Sequence, residues 1–463
     1  MADEETAGPC KYEEETAQDT IPSKKARRDF GSFHSSNADE LIRLSKEDYD
    51  PPVIPFSLPC YQSGDHADLF GAAIRKSQFC LSDKITFLNH GAFGCTLRSA
   101  MDVAQKWREY CETEPVSFID RELIPHLVYV SRRLAEFVDC DPCDLVLVPN
   151  VTTAMNCILQ SLARTMTSDD VILFFNVTYG ATKKMLQYIK DLVGIQLDEV
   201  KLSFPISSAQ QILEMFAACL KPNTKLVIID HVSSNYGIIL PVKELVEICH
   251  ERGVLVLVDG AHALGILPIS MRSFGADFYT TNCHKWFCGP KGTALMYISC
   301  QHHQAINPLV VSHGFQAGFN SKFIWTGLQD YSPFLALHTV LNFWQQTGVD
   351  EMRRYMFQLV RSAAALLQKS WGTDLLADVS LFGTMILVQL PADILGGGAP
   401  QITYDHAELI QNRLFHDHHI EVPIKALEGK LYVRISAHVY NELDQYSSLA
   451  SAIVDIKSKR ILL

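Results

Sequence analysis

Between residues 145 and 298, short and almost wholly apolar runs alternate with stretches whose apolar positions recur at helical spacing. Leu145–Val148, Val171–Phe175, Lys225–Ile229 and Val254–Val258 read as strands buried on both faces, since scarcely a polar position interrupts them. Helical patterns near 153–164, 180–192, 207–220 and 242–252 separate these runs, and further strands are expected at Phe278–Thr281 and Ala294–Ile298. The alternation predicts an α/β chain with a parallel, doubly wound sheet, because parallel neighbours need a crossover between them. Two amphipathic helices are expected upstream. One places Leu97, Met101, Ala104, Trp107 and Cys111 on a single face; the other does so with Ile124, Leu127, Leu134 and Val138. After about residue 330 the rhythm changes: helical patterns over 331–347 and 350–370 precede strands near 384–390, 420–424 and 431–436 and a last helix near 441–457. That order predicts a smaller α+β domain, with Gly396-Gly397-Gly398 in a loop inside it. The expected organisation is a disordered tail over 1–45, an N-terminal segment over 46–120, a large α/β domain over 121–330 and the small α+β domain over 331–463. No internal repeat is visible.

Composition narrows the class. With 463 residues, 48% hydrophobic and 20% charged, the chain reads as a soluble globular enzyme of two domains. A net charge of −12 argues against a nucleic-acid binder, which needs a basic face. Much of the acid sits in the tail, at Asp3, Glu4, Glu5, Glu13, Glu14, Glu15 and Asp19, and a segment so poor in large apolar residues cannot fold alone. Lys24-Lys25-Ala26-Arg27-Arg28 has the composition of a nuclear-import signal, and equally of solvated tail charge, so a minor nuclear pool is one expectation. No apolar stretch is long enough to span a bilayer, and the acidic N-terminus has no apolar leader, which points to a cytoplasmic chain away from membranes. Thirteen cysteines, an odd number, then read as reduced thiols. Cys140-Asp141-Pro142-Cys143 lacks the second pair that zinc would need. His416-Asp417-His418-His419 lacks a completing ligand and reads as an exposed helix end, so no metal is expected. Gly289-Pro290-Lys291-Gly292-Thr293 has the wrong residue order and glycine spacing for a phosphate loop.

The chemistry centres on Lys285, in Thr280-Thr281-Asn282-Cys283-His284-Lys285-Trp286-Phe287-Cys288-Gly289-Pro290-Lys291-Gly292. Upstream, the strand Val254–Val258 ends in Asp259-Gly260-Ala261-His262. A lysine after one strand end and an acid at another suit an aldehyde cofactor: the amine forms a Schiff base and the carboxylate pairs with a pyridinium nitrogen. That pattern points to pyridoxal 5'-phosphate (PLP). Each residue also has an ordinary reading. Asp259 could cap a helix starting at Ala261. His262, three residues on, could face the same ring edge or be a plain polar histidine. Asn150-Val151-Thr152-Thr153-Ala154 lies between a strand and a helix, where a simple cap and an anion site for the cofactor phosphate look alike. Tyr179-Gly180 could stack on the ring or fill the core. Arg434, in the alternating strand Leu431-Tyr432-Val433-Arg434-Ile435-Ser436, could fork onto a substrate carboxylate or form a surface ion pair.

Taken together, residues 85–455 resemble the class V aminotransferases among fold type I PLP enzymes. The His284-Lys285 block with its following Gly-x-Lys-Gly-Thr carries the resemblance. Leu88-Asn89-His90-Gly91, Asn150-Val151-Thr152-Thr153, Phe323-Ile324-Trp325-Thr326-Gly327 and Arg434-Ile435-Ser436 are similar to the isopenicillin N epimerase-like and ergothioneine-pathway carbon–sulfur lyase branch. The resemblance implies a large domain with a mostly parallel seven-stranded sheet and a smaller α+β domain. It implies that Lys285 carries the Schiff base and that Asp259 holds the ring nitrogen. His262 would lie near the phenolic oxygen, while Thr152, Thr153 and His284 would hold the phosphate. Tyr179 would stack on the ring, and Asn89 and Arg434 would hold the substrate carboxylate. Trp325 and Thr326 would reach the phosphate of a partner subunit, implying a homodimer with shared sites. The expected activity is carbon–sulfur cleavage at Cβ of a cysteine-derived amino acid, giving pyruvate and ammonia. Epimerisation, transamination and PLP binding without turnover stay open. Class V cysteine desulfurases carry a nucleophilic cysteine late in the chain; here the 163 residues after Cys300 contain none. Loops around Asn89, Phe118–Arg121 and 313–325 would select the side chain.

Overall fold

In this computed structural model the described residues are 37–61, 69–395 and 401–459. The basic cluster, residues 1–36 of the expected tail and the Gly396–Gly398 loop lie outside them.

Twelve strands form: β1 (Thr86–Phe87), β2 (Leu145–Val148), β3 (Val171–Phe175), β4 (Gln196–Val200), β5 (Thr224–Asp230), β6 (Leu255–Asp259), β7 (Phe278–Asn282), β8 (Ala294–Ile298), β9 (Met385–Gln389), β10 (Ile420–Glu421), β11 (Ile424–Leu427) and β12 (Lys430–Ser436). Seven make one sheet in the order β2-β8-β7-β6-β5-β3-β4. Six of these run the same way; β8 is antiparallel to both β2 and β7, so the sheet is mostly, not wholly, parallel. A three-stranded antiparallel sheet has the order β11-β12-β9, and β1 pairs in parallel with β10.

The apolar runs explain the central strands. Ile172, Ile228 and Leu257 pack with Ile158, Leu186 and Ile189 of the helices Val151–Leu162 and Gly180–Val193. Their chain neighbours Leu173, Val227, Val256 and Val258 face the other way and pack with Phe216, Leu245 and Val246. Both faces are therefore apolar, and each buried aliphatic side chain contributes roughly 1.5–3 kcal/mol. The sequence reading did not find β4, which is an edge strand with polar, partly exposed Gln196, Asp198 and Glu199. Nor did it find the helix Tyr404–His418, in which only Ala407, Ile410 and Leu414 are buried. His416 and His418 do lie in the last turn of that helix.

Two expectations need correction. The tail was drawn through residue 45, but Asn37–Ile42 is a helix. Ala38 and Ile42 pack on Ile124 and Val128. Asp39 accepts from the N–H of Ser321 at 2.7 Å, and Arg132 donates to the carbonyls of Ile42 (2.8 Å) and Leu44 (2.9 Å). The helix Arg98–Thr113 buries Ala100, Val103, Ala104 and Trp107, leaving Met101 39% exposed. Its buried stripe is thus rotated from the expected one. The second amphipathic face matches: Ile124, Leu127, Leu134 and Val138 are all buried. Among the described residues no disulfide forms, and no helix is long and apolar enough to cross a membrane.

Candidate active site

Ligands in open α/β sheets bind at the carboxyl ends of the strands. Here β2 leads to Asn150, β3 to Tyr179, β5 ends in Asp230, β6 in Asp259 and β7 in Asn282. These residues line one cleft of about 220 Å³, joined by Thr152, His262, His284, Lys285, Ala92 and Phe93.

The backbone holding Lys285 is fixed on both sides. The turn between β7 and β8 is closed by Gly289 N–H to Cys283 O (2.8 Å) and Cys283 N–H to Thr293 O (3.0 Å). Beneath it, His90 Nε2 lies 3.1 Å from Lys285 O and its Nδ1 lies 2.6 Å from the Tyr440 hydroxyl. His438 Nε2 lies 3.1 Å from Trp286 O, and its ring stacks on His90 at 4.1 Å. Cys288 Sγ lies 3.4 Å from His438 Nε2, so the three side chains brace the turn together. Gly94 has φ +70°, and a Cβ there would come within 2.5 Å of His284 O and 2.7 Å of the Lys285 Cα. Glycine is needed for that close approach.

Proton positions follow from the partners. Trp286 Nε1 donates to His262 Nδ1 at 3.2 Å, and an indole nitrogen can only donate. Burial keeps His262 well below its usual pKa, hence neutral, so its single proton sits on Nε2. Nε2 lies 3.1 Å from Lys285 Nζ. An N–H facing an ammonium would be a clash of donors; a neutral amine accepts it. Burial lowers Lys285 to about 8, against the opposing pull of Asp259, which agrees with that geometry.

Asp259 is 4% exposed, accepts from the N–H of Ala261 at 3.0 Å and has no cation within 4.0 Å among the described residues. Both the capping reading and the cofactor reading of its carboxylate are therefore compatible, one on each oxygen. Asp230 stands beside it in register on β5. Its Oδ1 accepts from Tyr179 N–H at 3.0 Å, while Oδ2 is buried without a partner. Burial raises the pKa of both acids. Asp230 escaped the sequence reading because Ile229-Asp230-His231 looks like any strand end; only the register shows its neighbour.

The other expected residues divide. Asn150 is the N-cap of the helix Val151–Leu162, accepting from Thr153 N–H at 2.8 Å. Thr152 is exposed in the cleft, but Thr153 spends its hydroxyl on Asn150 (3.1 Å) and lines a separate apolar pocket. His284 Nδ1 faces Thr293 O at 2.8 Å. Tyr179 is 44% exposed at the cleft mouth. A Cβ built on Gly180 meets nothing within 4 Å, so the chain itself does not demand glycine there. Trp325 and Thr326 do not line this cleft; Trp325 stacks on Tyr331 at 5.5 Å, and Thr326 lines the same apolar pocket as Thr153. Asn89 and Arg434 do meet: Arg434 Nη2 donates to Asn89 Oδ1 at 3.3 Å and Nη1 to Ser234 O, while Asn89 Nδ2 donates to Glu421 at 3.1 Å. Arg434 is 4% exposed, its Nε is unpartnered, and it is in no ion pair among the described residues.

The chain's family is settled by its sequence match. The model for aminotransferase class-V covers residues 121–381. This chain belongs to the class V aminotransferase family. It is a fold type I enzyme, and pyridoxal phosphate is its cofactor. An L-cysteine desulfhydrase of Arabidopsis thaliana is 30% identical over 80% of this chain and 87% of its own. A hercynylcysteine sulfoxide lyase of Schizosaccharomyces pombe is 23% identical over 83% and 97%. The solved structure of a C-DES variant with glycine covalently linked to the PLP cofactor superposes with a TM-score of 0.71. It is 22% identical and covers 82% of this chain and 99% of that one. The cleft fits the cofactor: a buried carboxylate without a cation would meet a ring nitrogen, the free Oδ2 of Asp230 lies beside it, and exposed Thr152 offers its own N–H and hydroxyl to a phosphate, the N–H groups of Val151 and Thr153 being donated to Asn282 and Asn150.

Proposed function

We propose that this class V aminotransferase cleaves the Cβ–S bond of a cysteine-derived amino acid, consuming one water and releasing a thiol, pyruvate and ammonia. The observation that carries the reading is the arrangement of the Lys285 amine, which burial lowers to about 8, near a buried guanidinium that has no carboxylate partner among the described residues. A binding module has no use for an unpaired buried cation; an amino-acid substrate brings the carboxylate it lacks. The names of the desulfhydrase and sulfoxide lyase relatives support sulfur as the leaving atom. The cleft lining contains no cysteine among the described residues, so direct release is favoured over transfer to a protein persulfide.

Bound PLP supplies the electron sink for the Cα–H electron pair. Lys285 Nζ takes the Cα proton and, still close to the substrate, holds it for the departing sulfur. Asp259 would keep the proton on the ring nitrogen. His262 would present its Nε2–H, which faces Lys285 in this structure, toward the phenolic oxygen. Arg434 and Asn89 hold the carboxylate, fixing which bond at Cα lies over the base. Thr152 and His284 would hold the phosphate, and Tyr179 would cover the ring. We assign Trp325 and Thr326 to the site of a second copy. Support comes from their position outside their own cleft, amid exposed Leu309, Val310 and Leu328.

Proton NMR in D2O with a panel of cysteine derivatives tests the reaction, with Lys285→Ala as control. Pyruvate that requires Lys285 is the expected result. Deuterium entering at Cα without pyruvate would overturn the lyase reading in favour of epimerisation or transamination.

A further inference from the structure

Arg434 is not the only cation on its face of the small sheet. In the β11–β12 ladder Lys425 lies opposite Tyr432, and side chains alternate along a strand, so Lys425, Tyr432 and Arg434 share one face. Lys425 is half-buried and makes no ion pair among the described residues, and its amine has no hydrogen-bond partner among them. Arg434 likewise has no carboxylate within 4.0 Å among the described residues. Glu421, at the rim of this clamp, is engaged by Asn89. Burial and the charge of Arg434 lower Lys425 to about 8. Arg434 donates to the carbonyl of Ser234, which lines the cleft with His262 and Lys285, so a single residue stands between Lys425 and the reaction centre. Two unpaired, desolvated cations side by side are costly unless anions arrive. The α-carboxylate of an amino acid answers one of them.

Building on the lyase reading, we propose that Lys425 is a specificity residue that pairs with a second anionic group, a carboxylate or sulfonate, carried on the sulfur-linked part of the substrate. The preferred substrates are then cysteine conjugates with an acidic arm, in preference to cysteine itself or neutral thioethers. A neutral arm would leave the Lys425 charge unanswered on that face, and a basic arm would repel it.

The test uses the holoenzyme with three conjugates of similar size: S-carboxyethyl-, S-carbamoylethyl- and S-aminoethyl-L-cysteine. Two readouts run in parallel, pyruvate release and equilibrium binding read from the change in cofactor absorbance. The wild-type protein should favour the carboxyethyl over the carbamoylethyl conjugate by about tenfold or more, through KM and binding, the size of one charged hydrogen bond. Lys425→Met should abolish that preference, chiefly by raising KM and weakening binding for the carboxyethyl conjugate. Lys425→Arg should retain it, and Lys425→Glu should move it toward the aminoethyl conjugate. Absence of preference in the wild-type protein overturns the proposal. So does an equal loss on both conjugates in Lys425→Met, which would place Lys425 on the α-carboxylate or in the fold. If no conjugate gives pyruvate, the lyase reading fails, and the binding titration alone decides on Lys425.

Discussion

A single hydrogen-bond direction governs the chemistry at the residue scale. Because Trp286 can only donate, His262 shows its N–H to the cleft, and Lys285 accepts it only in its neutral form, which prevails above about 8. Cofactor uptake by apoenzyme should therefore depend on the neutral fraction of Lys285. Since burial lowers this group to about 8, the uptake rate should climb with pH through that value and level off above it, as stopped-flow absorbance would show. A midpoint near the ordinary lysine value would contradict the site geometry. His262→Ala should lower kcat by about 10- to 100-fold and shift the bound cofactor's absorption band; His262→Gln, which keeps a donor, should recover part of both. Lys285, Asp259, His262 and Arg434 stand out in the sequence because each sits in a short run with a chemical rationale; Asn89 stands out only by resemblance. Asp230, His90, His438 and Tyr440 do not. Their meaning lies in contacts across about 30 to 350 residues of chain, which no local pattern encodes.

At the element scale, strand ends and turns do the positioning. The central strands were legible because burial on both faces writes an unbroken apolar run; β4 was not, because an edge strand is free to be polar. One turn is open to direct trial. Gly94→Ala places a methyl against the backbone of His284 and Lys285 at a positive φ. It should weaken cofactor binding at least about tenfold in a fluorescence titration, beyond the roughly 1 kcal/mol expected for the backbone conformation alone. At the opposite end of the sheet, Asp277 precedes β7. Burial would raise its pKa, but hydrogen bonds from His302 (2.8 Å), His250 (3.0 Å) and the Val256 N–H (2.8 Å) outweigh that and hold it below the usual carboxylate value. A depressed carboxylate stabilises the fold above its unfolded pKa, and that contribution fades as pH falls through the folded value. Asp277→Asn should cost about 1–3 kcal/mol in urea unfolding at neutral pH. The difference from wild type should shrink on acidification.

For the whole molecule, the sequence rhythm foretold a large α/β sheet followed by a smaller α+β region. It missed how the N-terminal helix Asn37–Ile42 is bound to the body. That helix buries only Ala38 and Ile42, too little for a local apolar signal, yet Asp39 caps the helix Phe319–Ile324 that leads into Trp325. Asp39→Ala should therefore destabilise by about 0.5–2 kcal/mol. If Trp325 reaches a second copy, it should also raise the dimer dissociation constant in analytical ultracentrifugation. An unchanged association with a lowered melting temperature would confine Asp39 to the fold.

The turn that carries Lys285 sets how the catalytic proton travels. With the backbone clamped from Cys283 to Thr293, the amine moves only as far as its four-carbon tether swings. Its excursions are side-chain rotations with no backbone rearrangement to wait for, against turnover times of about a tenth of a second for an ordinary enzyme. The base is thus always within reach. The clock of this enzyme is set by bond breaking or by the exit of products, and not by the arrival of its lysine.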